Sequence, residues 1–101
     1  MNNTTRWTVP PDHPVFAGHF PDMPILPGAM LLDAVLDAIA AATGIALDTC
    51  EISSVKFLSP AGPGEVLVIQ HIVSAGGAIR FDVVAGARKI ASGSILPGLP
   101  V

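Results

Sequence analysis

A chain of 101 residues has the length of one domain, and half of its residues are apolar while only 13% are charged. The net charge of −3 leaves no basic footprint for nucleic acid, and five scattered Lys and Arg residues make no polybasic membrane patch. A domain this small buries only about 60–70% of its unfolded surface, so the high apolar share implies burial against a partner, and an obligate homo-oligomer is expected. Cys50 is the lone cysteine, which excludes an internal disulfide, and it reads as a small buried apolar residue. The opening MNNTTRW lacks a secretory pattern, and Asp33 and Asp37 interrupt the best apolar run well short of the ~20 residues of a membrane span. A single domain over residues 1–101, placed in the cytoplasm, is the expectation.

In chain order, a short strand is expected around Thr5–Val9. From Val9 to Gly28 the chain carries six of its ten prolines: Pro10, Pro11, Pro14, Pro21, Pro24 and Pro27. Each fixes its own φ and biases the preceding residue away from helix, so this stretch is a stiff irregular loop. Gly28 to Thr43 reads as a helix, with Pro27 suited to a first helical position and Gly44 to the stop. Apart from Asp33 and Asp37 its interior is Ala, Met, Leu, Val and Ile, the composition of a helix buried nearly all round. Four strands should wrap it: Ile52–Ser59, Glu65–Ser74, Ala78–Ala85 and Lys89–Leu96. In the third, Ile79, Phe81, Val83 and Ala85 alternate with Arg80 and Asp82. Gly76-Gly77 signals a hairpin, and Pro60–Gly64 a second turn. The layout is α+β, one long central helix against a curled antiparallel sheet.

The string from Phe16 to Asp33, FAGHFPDMPILPGAMLLD, is the one that carries chemistry. His19 sits in the proline-stiffened loop, Asp33 follows fourteen residues later inside the helix, and Gly28 offers a backbone N–H at the helix start. Amides there lack intrahelical acceptors, and the dipole favours negative charge. A base, an acid and an oxyanion site are the parts needed for proton abstraction beside a carbonyl. Taken singly the residues have plainer readings: His19 as a surface side chain, and Asp33 with Asp37 as a solvated stripe one turn apart.

GHFPDMPILPGAMLLDA, residues 18–34, resembles the GHFPxxPxxPG…(E/D)A signature of 3-hydroxyacyl-acyl-carrier-protein dehydratases of the FabZ and FabA type. Within that group it is most similar to the short single-hotdog dehydratases of aryl-polyene and related pathways. The specific likeness covers about residues 13–37, where His, Phe, three prolines, Gly and the acid all fall in register.

The resemblance implies a single hotdog fold and a dehydratase acting on 3-hydroxyacyl groups delivered by an acyl carrier protein. It implies His19 as general base and Asp33 as the acid that protonates the departing hydroxyl. The Gly28 amide would hold the thioester oxygen, and one such donor is typically worth about 3–4 kcal/mol. Phe20 would orient the loop and cover the site, while Pro21, Pro24 and Pro27 keep its shape. The family commonly has Gln where this chain has Asp37, and two carboxylates in a confined site resist double ionisation. Asp37 is thus expected either to help hold Asp33 in its acid form or to point to solvent. The resemblance also implies a homodimer joined edge to edge, with His19 of one chain facing Asp33 of the other. Ala38, Ala40, Ala41 and Ala42 would leave room for an acyl tunnel.

His13 reads as structural and His71 as a core or interface residue. The histidines lack zinc-site spacing, no nucleotide-binding glycine loop is present, and neither metal nor other cofactor is expected. Two rival functions remain: a hotdog thioesterase using a carboxylate to activate water, and a non-catalytic acyl or carrier-protein binding module.

Overall fold

A computed structural model describes residues 2–16 and 25–98. Strand β1 (Asn2–Thr8) leads through a 3-10 turn at Pro14–Phe16 to helix α1 (Gly28–Thr43). Four strands follow: β2 (Glu51–Phe57), β3 (Val66–Val73), β4 (Ile79–Ala85) and β5 (Arg88–Leu96). They form one antiparallel sheet in the order β1-β3-β4-β5-β2. The five expected strands and the helix are all present, with bounds shifted by three residues or fewer. The α+β hotdog layout stands, an antiparallel sheet with one long helix against it.

Local chemistry explains the elements. In β4, Ile79, Phe81 and Val83 are buried while Arg80 is exposed, the period-2 pattern of a strand with one covered face. The β3–β4 hairpin turns at Gly76-Gly77, where Gly77 takes φ 94° and its N–H donates to Ser74 O at 3.0 Å. At the helix end, Gly44 is left-handed (φ 75°) and returns its N–H to Ala40 O at 2.8 Å.

The core lies between α1 and one face of the sheet. Leu31, Val35 and Ile39, four residues apart, form the buried stripe of the helix. They share the core with Leu67 and Ile69 of β3, Ile79, Phe81 and Val83 of β4, and Ile90, Ala91 and Ile95 of β5. Here the expectation of a helix buried nearly all round needs correction. Within one chain Ala29, Asp33, Asp37, Ala41 and Ala42 are exposed, because one sheet face can cover only one side of a cylinder. Met30, Leu32, Leu36, Ala38 and Ala40, on the flanks of the helix, are partly buried against the same core.

Strand β2 is open too. It sits at the sheet edge, and all its residues are exposed except half-buried Val55. Phe57 and Leu58 are 52% and 53% exposed, high values for large apolar side chains. His71 lies in the core, 1% exposed on the helix-facing side of β3, and among the described residues neither ring nitrogen has a hydrogen-bond partner. Burial lowers its pKa, because a charged imidazole there would forfeit its hydration. Cys50 is half-buried against the core.

Candidate active site at the helix start

The segment before α1 is pinned by a backbone bond from Leu26 N–H to Ala61 O at 2.7 Å. Pro27 then takes φ −59°, ψ 143° and is the N-cap, one residue earlier than the first helical position that the sequence suggests. An extended ψ cannot continue a helix, yet the Pro27 carbonyl already accepts from Met30 and Leu31 N–H, both at 3.1 Å. Among the described residues no side chain caps this end. Among the described residues the Gly28 and Ala29 amides have no backbone acceptor, so the helix start presents free donors where the dipole favours an anion.

Those donors lie beside a mainly apolar groove of about 450 Å³, lined by Ile25, Leu26, Gly28, Leu31, Phe57, Leu58 and the Ser59–Ala61 segment. Phe57 stands against the helix start: a β-carbon at Gly28 would lie 2.8 Å from its Cζ. Gly28 thus admits the aromatic ring to its own α-carbon. The far wall is tied down by Arg88, whose Nη2 donates to both Glu65 carboxylate oxygens (2.8 and 2.7 Å) and to Pro60 O at 3.3 Å. Glu65 also accepts from Gly62 N–H at 2.8 Å. That amide, the largest influence, holds the Glu65 carboxyl below its usual range against the opposing effect of burial, with Arg88 adding smaller lowering contributions.

Asp33 is exposed and lies five residues, about 7.5 Å of helix rise, beyond Gly28. It lines a different hollow, of about 560 Å³, together with Leu36, Asp37, Ala40, Leu47 and Asp48. The chain therefore brings Asp33 together with Asp37, as their spacing implies, and leaves Gly28 in the neighbouring groove. Both carboxylates are open to solvent in one chain. Of the four alanines named for an acyl tunnel, only Ala40 lines this hollow. His19 and Phe20 lie outside the described residues. Among the described residues no cluster of His, Cys, Asp or Glu suits a metal ion.

Sequence reasoning missed Phe57 and the Glu65–Arg88 clamp. Phe57 could have been noticed as a large apolar residue ending a strand beside a proline-glycine turn. The clamp joins residues 23 positions apart, and no local pattern marks it.

Comparison with known proteins covers most of the chain. A family model described as ApeI-like, ApeI dehydratase, matches residues 2–94. The 3-hydroxyacyl-[acyl-carrier-protein] dehydratase FabZ of Chlamydia trachomatis serovar L2 is 33% identical over 97 residues, covering 83% of this chain. The chain spans 63% of the length of that relative. A chain of the dehydratase heterocomplex ApeI:P from Xenorhabdus doucetiae superposes with TM-score 0.75 at 26% identity, covering 94% of this chain and 85% of that one. The fluoroacetyl-CoA-specific thioesterase FlK (TM-score 0.68, 18% identity, covering 94% of this chain and 88% of that one) shares the fold. No helix among the described residues is long and apolar enough to cross a membrane.

Proposed function

Since the chain belongs to the ApeI-like dehydratase family, we propose that it removes water from 3-hydroxyacyl thioesters carried by an acyl carrier protein, leaving trans-2-enoyl thioesters. The observation that carries this reading is the uncapped start of α1, whose Gly28 amide opens beside an apolar groove. That is where a thioester oxygen gains most from a donor, since negative charge develops on it as the neighbouring carbon loses its proton.

In the reaction, His19 takes the C2 proton while the thioester oxygen rests on the Gly28 amide. The electron pair then forms the C2–C3 double bond, the C3–oxygen bond breaks, and Asp33 donates the proton that completes water. The elimination is redox-neutral, so the proposal invokes no cofactor. Phe20 covers the site, and Pro27 fixes the angle at which the loop enters the helix.

The same reading includes a homodimer in a cytoplasmic setting. Its support is the bare β2 edge and the uncovered side of α1, which bears Asp33 and Asp37. Unpaired strand edges with exposed apolar residues are natural pairing surfaces. In such a dimer His19 of one chain faces Asp33 of its partner, and the two hollows of the single chain become parts of one pocket.

The test is the purified chain with 3-hydroxybutyryl thioesters, following enoyl absorbance. His19→Ala and Asp33→Asn should each cut the rate at least about 100-fold, the usual contribution of a general acid or base. Free thiol in place of enoyl product would make the chain a thioesterase. Neither product, with acyl-carrier binding retained, would make it a binding module.

A further inference from the structure

Backbone hydrogen bonds join both ends of the proline-rich loop to a single turn, residues 60–65. At the loop's start the fully buried Val9 donates its N–H to Glu65 O and accepts from Gly64 N–H, both at 2.9 Å. At its end Leu26 N–H donates to Ala61 O at 2.7 Å. Residues 10–25, with His19 among them in the sequence, therefore begin and end on one turn. Pro60 and Ala61 of that turn also line the groove beside Gly28. A displacement of the turn moves the groove wall and the entry to α1 together.

The turn reads Pro-Ala-Gly-Pro-Gly-Glu, so Glu65 brings its sole polar side chain. Glu65 reaches back to accept from Gly62 N–H at 2.8 Å, while its own N–H donates to Gly62 O at 3.3 Å. Those two bonds close the turn on itself. Arg88, at the start of β5, then spans it: one nitrogen, Nη2, donates to both Glu65 carboxylate oxygens and to Pro60 O. The first and last residues of the turn thus share a donor from another strand. The Arg88 and Glu65 side chains are 49% and 31% exposed, and pairs that open to water add little to global stability. What this one fixes is the local shape on which both loop ends rest.

We propose that Glu65 and Arg88 are positioning residues, locking the turn that sets the His19-bearing loop and the Gly28 amide relative to each other. The effect on turnover rests on the dehydratase reading, whereas the lock itself does not. A misplacement of about 1 Å between reacting groups costs about a hundredfold in rate, so a shift of about half that costs about tenfold.

The experiment measures amide hydrogen exchange of the full chain and its steady-state turnover of a 3-hydroxybutyryl thioester. Arg88→Ala should speed exchange at Val9, Leu26, Gly62 and Gly64 about threefold, in keeping with a half-exposed pair. It should lower kcat about five- to tenfold and leave KM within about twofold, the mark of a lost transition-state arrangement. Glu65→Ala also frees Gly62 N–H and should do more on both counts. Glu65→Gln keeps an acceptor for that amide and should do less, and Arg88→Lys should restore part of both. Lys89→Gln breaks the neighbouring pair with Asp82 (3.9 Å), which lies off the turn, and should leave both readouts unchanged. Exchange at Gly44 and Ser74, bonded just past the far ends of α1 and β3, should not move. Unchanged exchange at Val9 and Leu26 in Arg88→Ala and Glu65→Ala would overturn the lock. Equal acceleration at Gly44 and Ser74 would overturn it too, as general destabilisation. Faster exchange with unchanged kcat would overturn the positioning role. Absent turnover by the wild type refutes the dehydratase reading and the positioning role with it, while the exchange pattern still decides the lock.

Discussion

Gly93→Ala should be among the most damaging one-methyl changes in this chain. Gly93 faces the core side of β5, opposite Phe81 on β4 and Val55 on β2. An added β-carbon would lie 2.5 Å from the Ser54 carbonyl oxygen and 2.6 Å from both Cε2 and Cζ of Phe81. Comfortable carbon contacts begin near 3.5 Å, so about 1 Å must be found against three atoms. Phe81 is 2% exposed and cannot swing into solvent, and the Ser54 carbonyl belongs to the backbone of β2. Overpacking of this kind costs about 1–3 kcal/mol, and a rigid wall puts it at the upper end. In a domain of this size each kcal/mol lowers Tm by about 4–8 °C, so thermal unfolding should show a fall of about 10–20 °C. Phe81→Leu removes two of the three clashes at a cost of its own of about 1–2 kcal/mol. The double variant should then be more stable than the sum of the singles implies, by about 1 kcal/mol or more. A Gly93→Ala protein as stable as the parent, or strictly additive singles, would refute the packing derived for β2, β4 and β5.

Gly28→Ala meets only the end of the exposed Phe57 ring, which can turn aside. It should change stability by less than about 1 kcal/mol, while lowering kcat/KM for enoyl formation, and Phe57→Leu should restore part of the activity by making room. The buried His71, whose pKa desolvation lowers, makes stability depend on acid. Above about pH 6.5, the ordinary histidine value, neither folded nor unfolded state holds the proton. As pH falls below it, the unfolded chain binds a proton that the buried imidazole refuses, and stability drops until the lowered folded pKa is passed. Urea unfolding of His71→Leu should show that slope removed and stability at pH 7 equal to the parent or higher, because an orphaned polar group is replaced by an apolar one.

By itself the sequence determined the elements and the family. Period-2 alternation in Ile79–Ala85, glycines at Gly44 and Gly77, and the proline-to-helix junction at Pro27–Gly28 are local matters, decided by backbone sterics and burial within a few residues. The GHFP…PG…D register is likewise a local string, and it was enough to name the family that the match over residues 2–94 then showed. Only the tertiary structure decided what lies across the chain from what. It set Phe57 on the α-carbon of Gly28 and tied Arg88 to Glu65. It also left Asp33 and Gly28 in separate hollows and one side of α1 uncovered. Such relations depend on strand order and register, which close loops of tens of residues and leave no periodicity in the amino-acid string. An apolar composition can say that a helix wants cover, but only the folded sheet shows how much of that cover one chain supplies.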